Sequence, residues 1–436
     1  MTSRPAAPRR TDADRAPATR PLPLLTDPVR VPLTGLGHGL AAQDLATHLA
    51  TYGPHRAIDD LLTAVDEIGL TGQGGGHFPV AAKWRTVRES ATRSGRAPLV
   101  VANGAEGEPA SAKDQLLLAT RPHLVLDGLA ETAAAVGADE TVLWLHGDAH
   151  LLHVAVHRAV AERRAAGLRE PRVRVVSAPA HYLAGESGAV VRGLSGGPAL
   201  PMTRRVPAAV EGVDGRPTLV HNVETLARTA LLARTGAEAH RATALVTVVA
   251  DGSRTVLEVD ARAPVRVALL LAGWPVDVEP AAVLLGGYGG SWLPWDRAAH
   301  LELSPGALRA AGTSMGAGVL APLPAGACGV AETARLTAYL AGSSARQCGP
   351  CVFGLAALAD VLERLRTGDA RRSDVERLRR WTGEIDGRGA CHHPDGAVRM
   401  VRSALVTFAR DVDAHRRHRP CGAAHAEALL PVPAGS

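Results

Sequence analysis

Two lysines and two asparagines are conspicuous because these residue types are so rare in this sequence. Of 48 basic residues only Lys83 and Lys113 are lysine, and Asn103 and Asn222 are the only asparagines. Arginine serves wherever a generic cation is enough, so each remaining lysine is a candidate for a role that needs a compact ammonium charge. We therefore treat all four residues as candidate functional residues.

A glycine-rich loop precedes Lys83. The segment 69–84 reads GLTGQGGGHFPVAAKW, with five glycines in its first eight residues. Glycine lets the backbone approach a ligand closely and offer its N–H groups to a phosphate. Such a loop alone is equally typical of a flexible surface turn, but Phe78, Lys83 and Trp84 behind it favour a ligand site.

A second polar segment, 103–114, reads NGAEGEPASAKD and follows a predicted strand. Glu106, Glu108, Lys113 and Asp114 cluster where the carboxyl end of that strand is expected. Open α/β sheets bind ligands in the crevice at this end of their strands. A charged surface loop is the alternative, for Lys113 and Asp114 in particular.

Cysteine spacing indicates a third kind of chemistry. Five cysteines in 436 residues are too few for a disulfide scaffold, and Cys348 and Cys351 form a C-x-x-C pair. This favours metal or redox chemistry at the pair. Cys328 and Cys421 are expected to be free thiols, the first a buried small residue and the second part of a tail.

The elements that must position these residues follow from hydrophobic periodicity. Helices and strands alternate in the first half, which predicts an α/β layer with a mostly parallel sheet. A strand pair around Asp251 and Gly252 predicts a hairpin, and four later helices suggest a bundle. The predicted helices are 57–68, 123–138, 151–166, 265–272, 330–342, 352–367, 372–385 and 396–416; the strands are 98–102, 141–145, 172–177, 243–249, 255–259 and 282–285.

Charge and hydropathy exclude two classes of partner. The net charge of +5 comes from residues 1–30, which carry six Arg and three Asp, and from three Arg in 415–419. The body of the chain therefore has no basic face for nucleic acid. No apolar run approaches the roughly 18 residues of a transmembrane helix, and the N-terminus does not look like a signal peptide. We expect a cytoplasmic protein.

Four motifs together resemble the NADH-oxidising flavoprotein subunit of respiratory complex I. They are G-L-x-G-x-G-G-x-x-F-P-x-x-x-K-W at 69–84, N-x-x-E-G-E-P at 103–109 with K-D from Lys113, Y-x-x-G-E at 182–186, and G-x-P-T-x-V-x-N-V-E-T at 215–225. They occur in the family's order, and the resemblance extends over about residues 55–415.

The resemblance implies an α/β fold with an FMN-binding domain, a β-grasp domain similar to soluble-ligand-binding β-grasp modules, and a C-terminal helical bundle that holds an iron–sulfur cluster. The expected boundaries are a disordered tail over 1–30, the FMN domain over 31–235, the β-grasp-like domain and linker over 240–325, the iron–sulfur domain over 330–418, and a second tail over 419–436.

The resemblance also implies a cofactor site for FMN. Backbone amides and Lys83 suit its phosphate, asparagines suit its ring system, and a glutamate beside it can position nicotinamide. Glu106 and Glu108 are the expected catalytic residues. The full set implied to bind cofactor is Gly72, Gly74, Gly75, Phe78, Lys83, Asn103, Glu106, Glu108, Tyr182, Gly185, Glu186 and Asn222.

The cluster motif departs from the family in one ligand. The family pattern is C-x-x-C-x-x-C with a fourth cysteine some forty residues later, and Cys348, Cys351 and Cys391 fill its last three places. Ala345 stands at the first place and cannot ligate iron. A 4Fe-4S cluster with an external ligand, a 3Fe-4S cluster and an occasionally empty site remain open, with the adjacent Ser344 as a candidate ligand.

Other departures concern the nicotinamide nucleotide. Ala105, Ala112 and His221 replace an Asp, an aromatic residue and an Asn of the family pattern, Val206 falls near a family Phe, and Phe78 remains as a ring for stacking.

The family motif G-E-E reads Gly-Glu-Ser here, so Glu186 keeps one carboxylate and Ser187 has lost the other. Because a carboxylate there repels the 2′-phosphate of NADPH, we predict relaxed discrimination against NADPH, with Arg192, Arg204 or Arg205 as candidate phosphate partners.

The function implied by the resemblance is that of an NADH dehydrogenase (quinone)-like oxidoreductase. Hydride would pass from NAD(P)H to FMN, and electrons would pass singly to the cluster and to an iron–sulfur or ferredoxin-like protein or a quinone-linked acceptor. One alternative keeps flavin and cluster but takes electrons from a ferredoxin-like partner without nicotinamide. Another is a degenerate scaffold that binds a small molecule or a partner, since fold alone does not fix activity.

Overall fold

The computed structural model describes residues 23–32, 40–53, 60–203 and 206–433. Its strands are β1 (Val29–Pro32), β2 (Leu99–Asn103), β3 (Glu140–His146), β4 (Arg172–Ala178), β5 (Thr218–Asn222), β6 (Thr243–Ala250), β7 (Ser253–Asp260), β8 (Ala282–Leu285), β9 (Ser291–Pro294) and β10 (Val319–Leu323). Its α-helices are α1 (Leu45–Tyr52), α2 (Leu61–Glu67), α3 (Val80–Ser94), α4 (Lys113–Thr120), α5 (Pro122–Val136), α6 (His150–Ala165), α7 (Ser187–Leu194), α8 (Val223–Thr235), α9 (Val265–Leu271), α10 (Trp295–Ala298), α11 (Pro305–Ala310), α12 (Gly329–Gly342), α13 (Ala356–Thr367), α14 (Asp374–Ile385), α15 (His393–Thr407) and α16 (Ala409–Arg416). Within these ranges no helix is long and apolar enough to cross a membrane.

The first sheet is four-stranded and wholly parallel, in the order β4-β3-β2-β5. Its central strand β2 is buried except at its last residue, as expected where helices cover both faces of a parallel sheet. The long helix α5 is buried on nearly every side and packs closely against α8. The mixed α/β fold with a parallel sheet is therefore as predicted.

The second sheet is mixed and six-stranded, in the order β1-β7-β6-β10-β8-β9. The predicted hairpin is its β6–β7 pair. Asp251 and Gly252 both have positive φ, 47° and 66°, which is the backbone that a two-residue type I′ turn requires. Strand β10 lies inside the sheet, where it runs parallel to β6 and antiparallel to β8.

The last part of the chain is helical, from α12 to α16. The predicted helix 352–367 begins as a short π-helix, Pro350–Leu355, before it continues as α13. The predicted helix 396–416 is broken at Phe408 into α15 and α16. The Phe408 ring packs against Gly329 so closely that a Cβ there would lie 2.3 Å from the ring, which explains the glycine at the start of α12.

Several segments differ from the sequence expectation. Residues 23–30 were expected in a tail over 1–30, but Leu24 and Leu25 are buried, their N–H groups donate to the Glu258 carboxylate, and β1, which begins at Val29, joins the second sheet. Strands β5, β9 and β10 were not predicted, and neither were helices α1, α3, α4, α7, α8, α10 and α11. In the tail expected from 419, Ala424 and Leu430 are buried.

The predicted helix 57–68 appears as α2, and residues 57–59 lie outside the described part of the chain, as do Arg204 and Arg205.

Candidate functional site

The two asparagines of the chain stand side by side at the carboxyl edge of the parallel sheet. Asn103 ends β2, Asn222 ends β5, and the two are partners in the strand register. The Asn103 amide donates to the Gly185 carbonyl at 2.7 Å. The Asn222 amide donates to Asp114 at 2.6 Å while its oxygen accepts the Glu224 N–H at 2.8 Å, which makes Asn222 the N-cap of α8.

Lys83 reaches this sheet from α3. Its ammonium donates to the Val220 carbonyl on β5 at 2.5 Å, and within the described ranges no carboxylate pairs with it. Burial lowers the pKa of Lys83 from 10.5 to about 8. An ammonium has three N–H donors, so two of them remain to bind a ligand with several oxygen atoms.

The glycine-rich loop lies against Asn222. A Cβ on Gly74 would lie 3.3 Å from the Asn222 Cβ. The N–H groups of Gly74, Gly75 and Gly76 make no hydrogen bond to the described part of the protein, whereas the Gly72 N–H donates to the Phe78 carbonyl. These three amides are therefore free to bind a ligand. Phe78 projects outward with 59% of its surface exposed.

Lys113 and Asp114 are buried and do not form a surface loop. The Lys113 ammonium lies 2.8 Å from both Asp114 and Glu224, and it also donates to the Gln73 carbonyl of the glycine-rich loop. Burial alone would lower the pKa of Lys113, but the two carboxylates outweigh burial and raise it. The sequence did not identify Glu224 as the second partner, although it lies in the N-V-E-T motif.

Glu106 caps the start of α4. Its carboxylate accepts the Ser111 hydroxyl at 2.5 Å and the N–H groups of Asp114 and Gln115 at 3.3 and 3.1 Å. Burial and then the Asp114 charge raise the pKa of Glu106 to about 7. Both oxygens are occupied by the protein itself.

Glu108 faces a turn that sequence reasoning missed. The segment 286–290 reads GGYGG, and the Tyr288 N–H donates to Glu108 at 3.0 Å. A Cβ on Gly287 would lie 2.7 Å from the same carboxylate oxygen, so glycine is required there. Burial raises the pKa of Glu108 to about 7 in spite of its hydrogen bonds. The four glycines around Tyr288 were the sequence feature that could have identified this turn.

The loop 182–186 packs directly on the segment that follows β2. A Cβ on Gly107 would lie 2.0 Å from the Tyr182 carbonyl, and one on Gly185 would lie 2.3 Å from the Ala105 carbonyl. These glycines are therefore required for close packing of backbone on backbone. Tyr182 donates to Glu108 at 3.4 Å, and Glu186 caps α7 by accepting the Ala189 N–H at 3.0 Å.

The three cysteines of the cluster motif come together beside this loop. The Cys351 thiol lies close enough to Cys348 and Cys391 that, after burial, their charges contribute to raising its pKa to about 12. Burial and then the Glu186 charge raise the pKa of Cys391. The buried Ser344 hydroxyl makes no regular hydrogen bond within the described chain and lies near Cys351.

This group differs from a site for a single ion. Cys348, Cys351 and Cys391 do not bring their three sulfur atoms within 4.8 Å of one another. Iron–sulfur clusters are held by cysteine thiolates, so the donor set fits a cluster.

Two family models match the chain. The Nuo51 FMN-binding domain matches residues 65–230, and the NADH-ubiquinone oxidoreductase-F iron-sulfur binding region matches residues 331–415. The chain is a divergent homologue of the complex I flavoprotein subunit. The corresponding NADH-quinone oxidoreductase F subunit of Streptomyces coelicolor is 28% identical over 84% of this chain and 85% of that protein. Its counterpart in Mycobacterium bovis is 29% identical over 82% and 84%.

A solved structure agrees with these matches. The crystal structure of an NAD⁺-reducing [NiFe]-hydrogenase in its H₂-reduced state has a TM-score of 0.72 and 26% identity, covering 81% of this chain. This chain spans 62% of the length of that hydrogenase chain. The relatives are named as subunits, which places them in larger assemblies. The predicted membership in an oxidoreductase family with FMN-binding and iron–sulfur-binding regions is confirmed.

The chain's own residues fit an FMN phosphate. The Lys83 ammonium, which has no carboxylate partner among the described residues, and the N–H groups of Gly74, Gly75 and Gly76 are the donors that such a group needs. A cavity of about 50 Å³ beneath the loop, lined by Gln73, His77 and Lys113, is far smaller than the roughly 300–1,000 Å³ of cofactor pockets. This cavity is therefore too small to hold the whole cofactor.

Proposed function

We propose that this protein oxidises NAD(P)H with FMN and passes the electrons to its iron–sulfur cluster. The observation that carries the proposal is the position of the loop 182–186, which is bonded to Asn103 on one side and lies beside Cys391 on the other. When bound, FMN accepts a hydride and releases electrons singly, so a one-electron acceptor must lie near it. The loop supports such a pairing of sites.

The proposed FMN site uses the carboxyl edge of the parallel sheet. Lys83 and the amides of the glycine-rich loop hold the phosphate, while Asn103 and Asn222 bind the ribityl and ring groups with the amide hydrogens that the protein leaves unused. Phe78 offers a ring to nicotinamide or adenine. The remaining proposed contacts are those of Gly72, Gly74, Gly75, Tyr182, Gly185 and Glu186.

The two proposed catalytic glutamates differ in what they can do. Glu106 is fully engaged with Ser111 and the start of α4, so it holds the Lys113 and Asp114 network in position beneath the loop. Glu108 is held by longer hydrogen bonds and has a pKa of about 7. It is the better candidate to orient the nicotinamide by accepting a hydrogen bond.

The proposed cluster is held by Cys348, Cys351 and Cys391, with Ser344 as the candidate for the position that Ala345 leaves empty. We propose the arrangement of an FMN domain over 31–235, a β-grasp-like domain over 240–325 and a helical iron–sulfur domain over 330–418. The proposed acceptor is an iron–sulfur or ferredoxin-like protein, or a quinone-linked one, in the cytoplasm.

An absorption spectrum of the anaerobically purified protein, before and after NADH or NADPH, tests the proposal. Flavin and iron–sulfur bands that bleach with nucleotide are the expected result. Bands that persist with both nucleotides but bleach with a reduced ferredoxin would replace the proposal by an electron-transfer subunit. A colourless protein that stays colourless after reconstitution with FMN, iron and sulfide would leave only a binding scaffold.

A further inference from the structure

A second group of potential metal ligands lies outside the cluster motif. Cys328, His415 and Cys421 each offer one ligand atom, and these atoms all lie within 4.8 Å of one another. Cys328 and His415 are buried, and Cys421 is partly buried. Cys328 is the N-cap of α12, His415 is near the end of α16, and Cys421 begins the C-terminal segment.

The histidine is held in the form that binds metals. Its Nδ1 lies 2.9 Å from the Leu365 carbonyl, which can only accept, so Nδ1 carries the proton. Nε2 therefore carries the lone pair. It lies 3.6 Å from Cys328 Sγ and accepts the Cys421 N–H at 3.3 Å, a long hydrogen bond that a metal ion would have to replace. A metal-binding histidine usually donates its other ring N–H to a carbonyl or carboxylate in this way.

The distance between sulfur and nitrogen matches tetrahedral zinc. Zinc bonds of about 2.3 Å to sulfur and 2.0–2.1 Å to nitrogen, at a tetrahedral angle, separate the two ligand atoms by about 3.5–3.6 Å. Cys328 Sγ and His415 Nε2 are 3.6 Å apart. Two thiolates would also neutralise Zn²⁺, which suits a buried position.

The start of α12 favours a negative sulfur at Cys328. The Ala331 N–H donates to Cys328 Sγ at 3.3 Å, and the N-terminus of a helix stabilises negative charge. Metal binding requires the thiolate form of cysteine, so this contact suits a metal ligand.

We propose that Cys328, His415 and Cys421 bind a Zn²⁺ ion that clips the C-terminal segment to the helical region. Three protein ligands leave the fourth position of the ion to water. The site is distinct from the cluster cysteines because α12, with 14 residues, separates Cys328 from the 344–348 region by about 21 Å.

The clip would fix a segment that reaches the proposed flavin site. Beyond Cys421, the Ala424 carbonyl accepts from Arg366 at 3.0 Å and the Leu429 N–H donates to Glu332 at 3.2 Å. The Tyr288 hydroxyl then donates to the Pro431 carbonyl. Tyr288 is the residue whose N–H holds Glu108.

Zinc analysis of the full-length protein, purified anaerobically with its cluster and with a thiol reductant, tests the proposal. We expect one zinc per chain, and a zinc-edge X-ray absorption spectrum with two sulfur ligands at about 2.3 Å and nitrogen or oxygen at about 2.0–2.1 Å. Cys421→Ser should weaken zinc binding at least about 100-fold, since loss of an outer partner alone costs 10–100-fold. Cys391→Ser, a matched change in the cluster motif, should lose iron and keep zinc.

Alkylation of the wild-type protein tests the proposal without requiring that any variant fold. Cys328 and Cys421 should resist alkylation until a zinc chelator is added. Three results would overturn the proposal: both thiols alkylated at once in a zinc-free protein, a Cys328–Cys421 disulfide by mass spectrometry under reducing conditions, or zinc that is lost from Cys391→Ser and kept in Cys421→Ser.

Discussion

Replacement of Lys83 by methionine is expected to stabilise the flavin-free protein and to weaken FMN binding. A fall in the pKa of Lys83 from 10.5 to about 8 corresponds to about 3 kcal/mol of unfavourable burial of its charge. Loss of the hydrogen bond to the Val220 carbonyl removes about 1 kcal/mol of the stability gained when the buried charge is removed. The free energy of unfolding should therefore rise by about 2 kcal/mol at pH 7.

The stability difference between Lys83→Met and the wild-type protein should depend on pH. Below pH 8 the folded and unfolded chains both carry the Lys83 proton, and the folded state bears the full cost of burying the charge. Between pH 8 and 10.5 the unfolded chain binds more protons than the folded one, so the wild-type protein gains stability as pH rises. The advantage of Lys83→Met should vanish over this range.

The same substitution should weaken FMN binding although it stabilises the flavin-free protein. A hydrogen bond to a charged group contributes about 1.5–3 kcal/mol, which corresponds to about 10- to 150-fold weaker binding in Lys83→Met. Urea unfolding of the flavin-free protein at several pH values, together with a flavin fluorescence titration, measures both effects.

The only other lysine provides the matched control. Lys113→Met leaves the buried Asp114 carboxylate without its cation, while Glu224 keeps its ion pair with Arg228, and the change should cost about 3–5 kcal/mol. A Lys83→Met protein that is less stable than the wild type at pH 7, or that binds FMN equally well, would refute the reasoning.

Four further variants test other parts of the site. Asn103→Ala should lose FMN with an unchanged circular dichroism spectrum, and full flavin content would count against the site. Glu108→Gln should remove a rise in the rate of flavin reduction centred near pH 7, because the wild-type carboxyl is protonated below that pH; an identical stopped-flow pH profile would exclude this role. Ala345→Cys should increase bound iron by completing the four-cysteine motif, and an unchanged iron content would contradict the assigned gap. Ser187→Glu should increase the preference for NADH over NADPH in steady-state flavin reduction, and an unaltered ratio would show that Ser187 does not set it.

The sequence predicted those parts of the fold that have their own hydrophobic pattern. Strands β3 and β8 and helices α5 and α12 carry enough apolar residues to specify themselves, and they lie where they were expected. Strand β1 has four residues and ends in proline, so only its pairing with β7 makes it a strand. The pattern of apolar residues in a short segment cannot show that its partner strand lies more than 200 residues away.

The sequence likewise identified some residues of the candidate site and could not show the long-range contacts of others. The rare lysines and asparagines were found because they lie in short motifs, and the structure brings Asn103 and Asn222 together as register partners. The contact of Glu108 with Tyr288 spans 180 residues and depends on how the second sheet packs on the first. Burial of Lys113 was likewise invisible, because a charged sequence segment gives no sign that Glu224 will cover it.

The loop 182–186 explains how a divergent chain can change side chains and keep both sites near each other. Gly185 and Gly107 bring two backbones together at distances where no side chain fits, so the course of the loop depends on the backbone. Two of the altered family positions, Ser187 and Ala345, lie outside these contacts, and a third, Ala105, takes part only through its backbone carbonyl. Substitution there can alter nucleotide preference or cluster type without moving Asn103 away from Cys391. Gly185→Ala should therefore harm both proposed cofactors at once, although Gly185 belongs to neither the phosphate donors nor the cluster ligands.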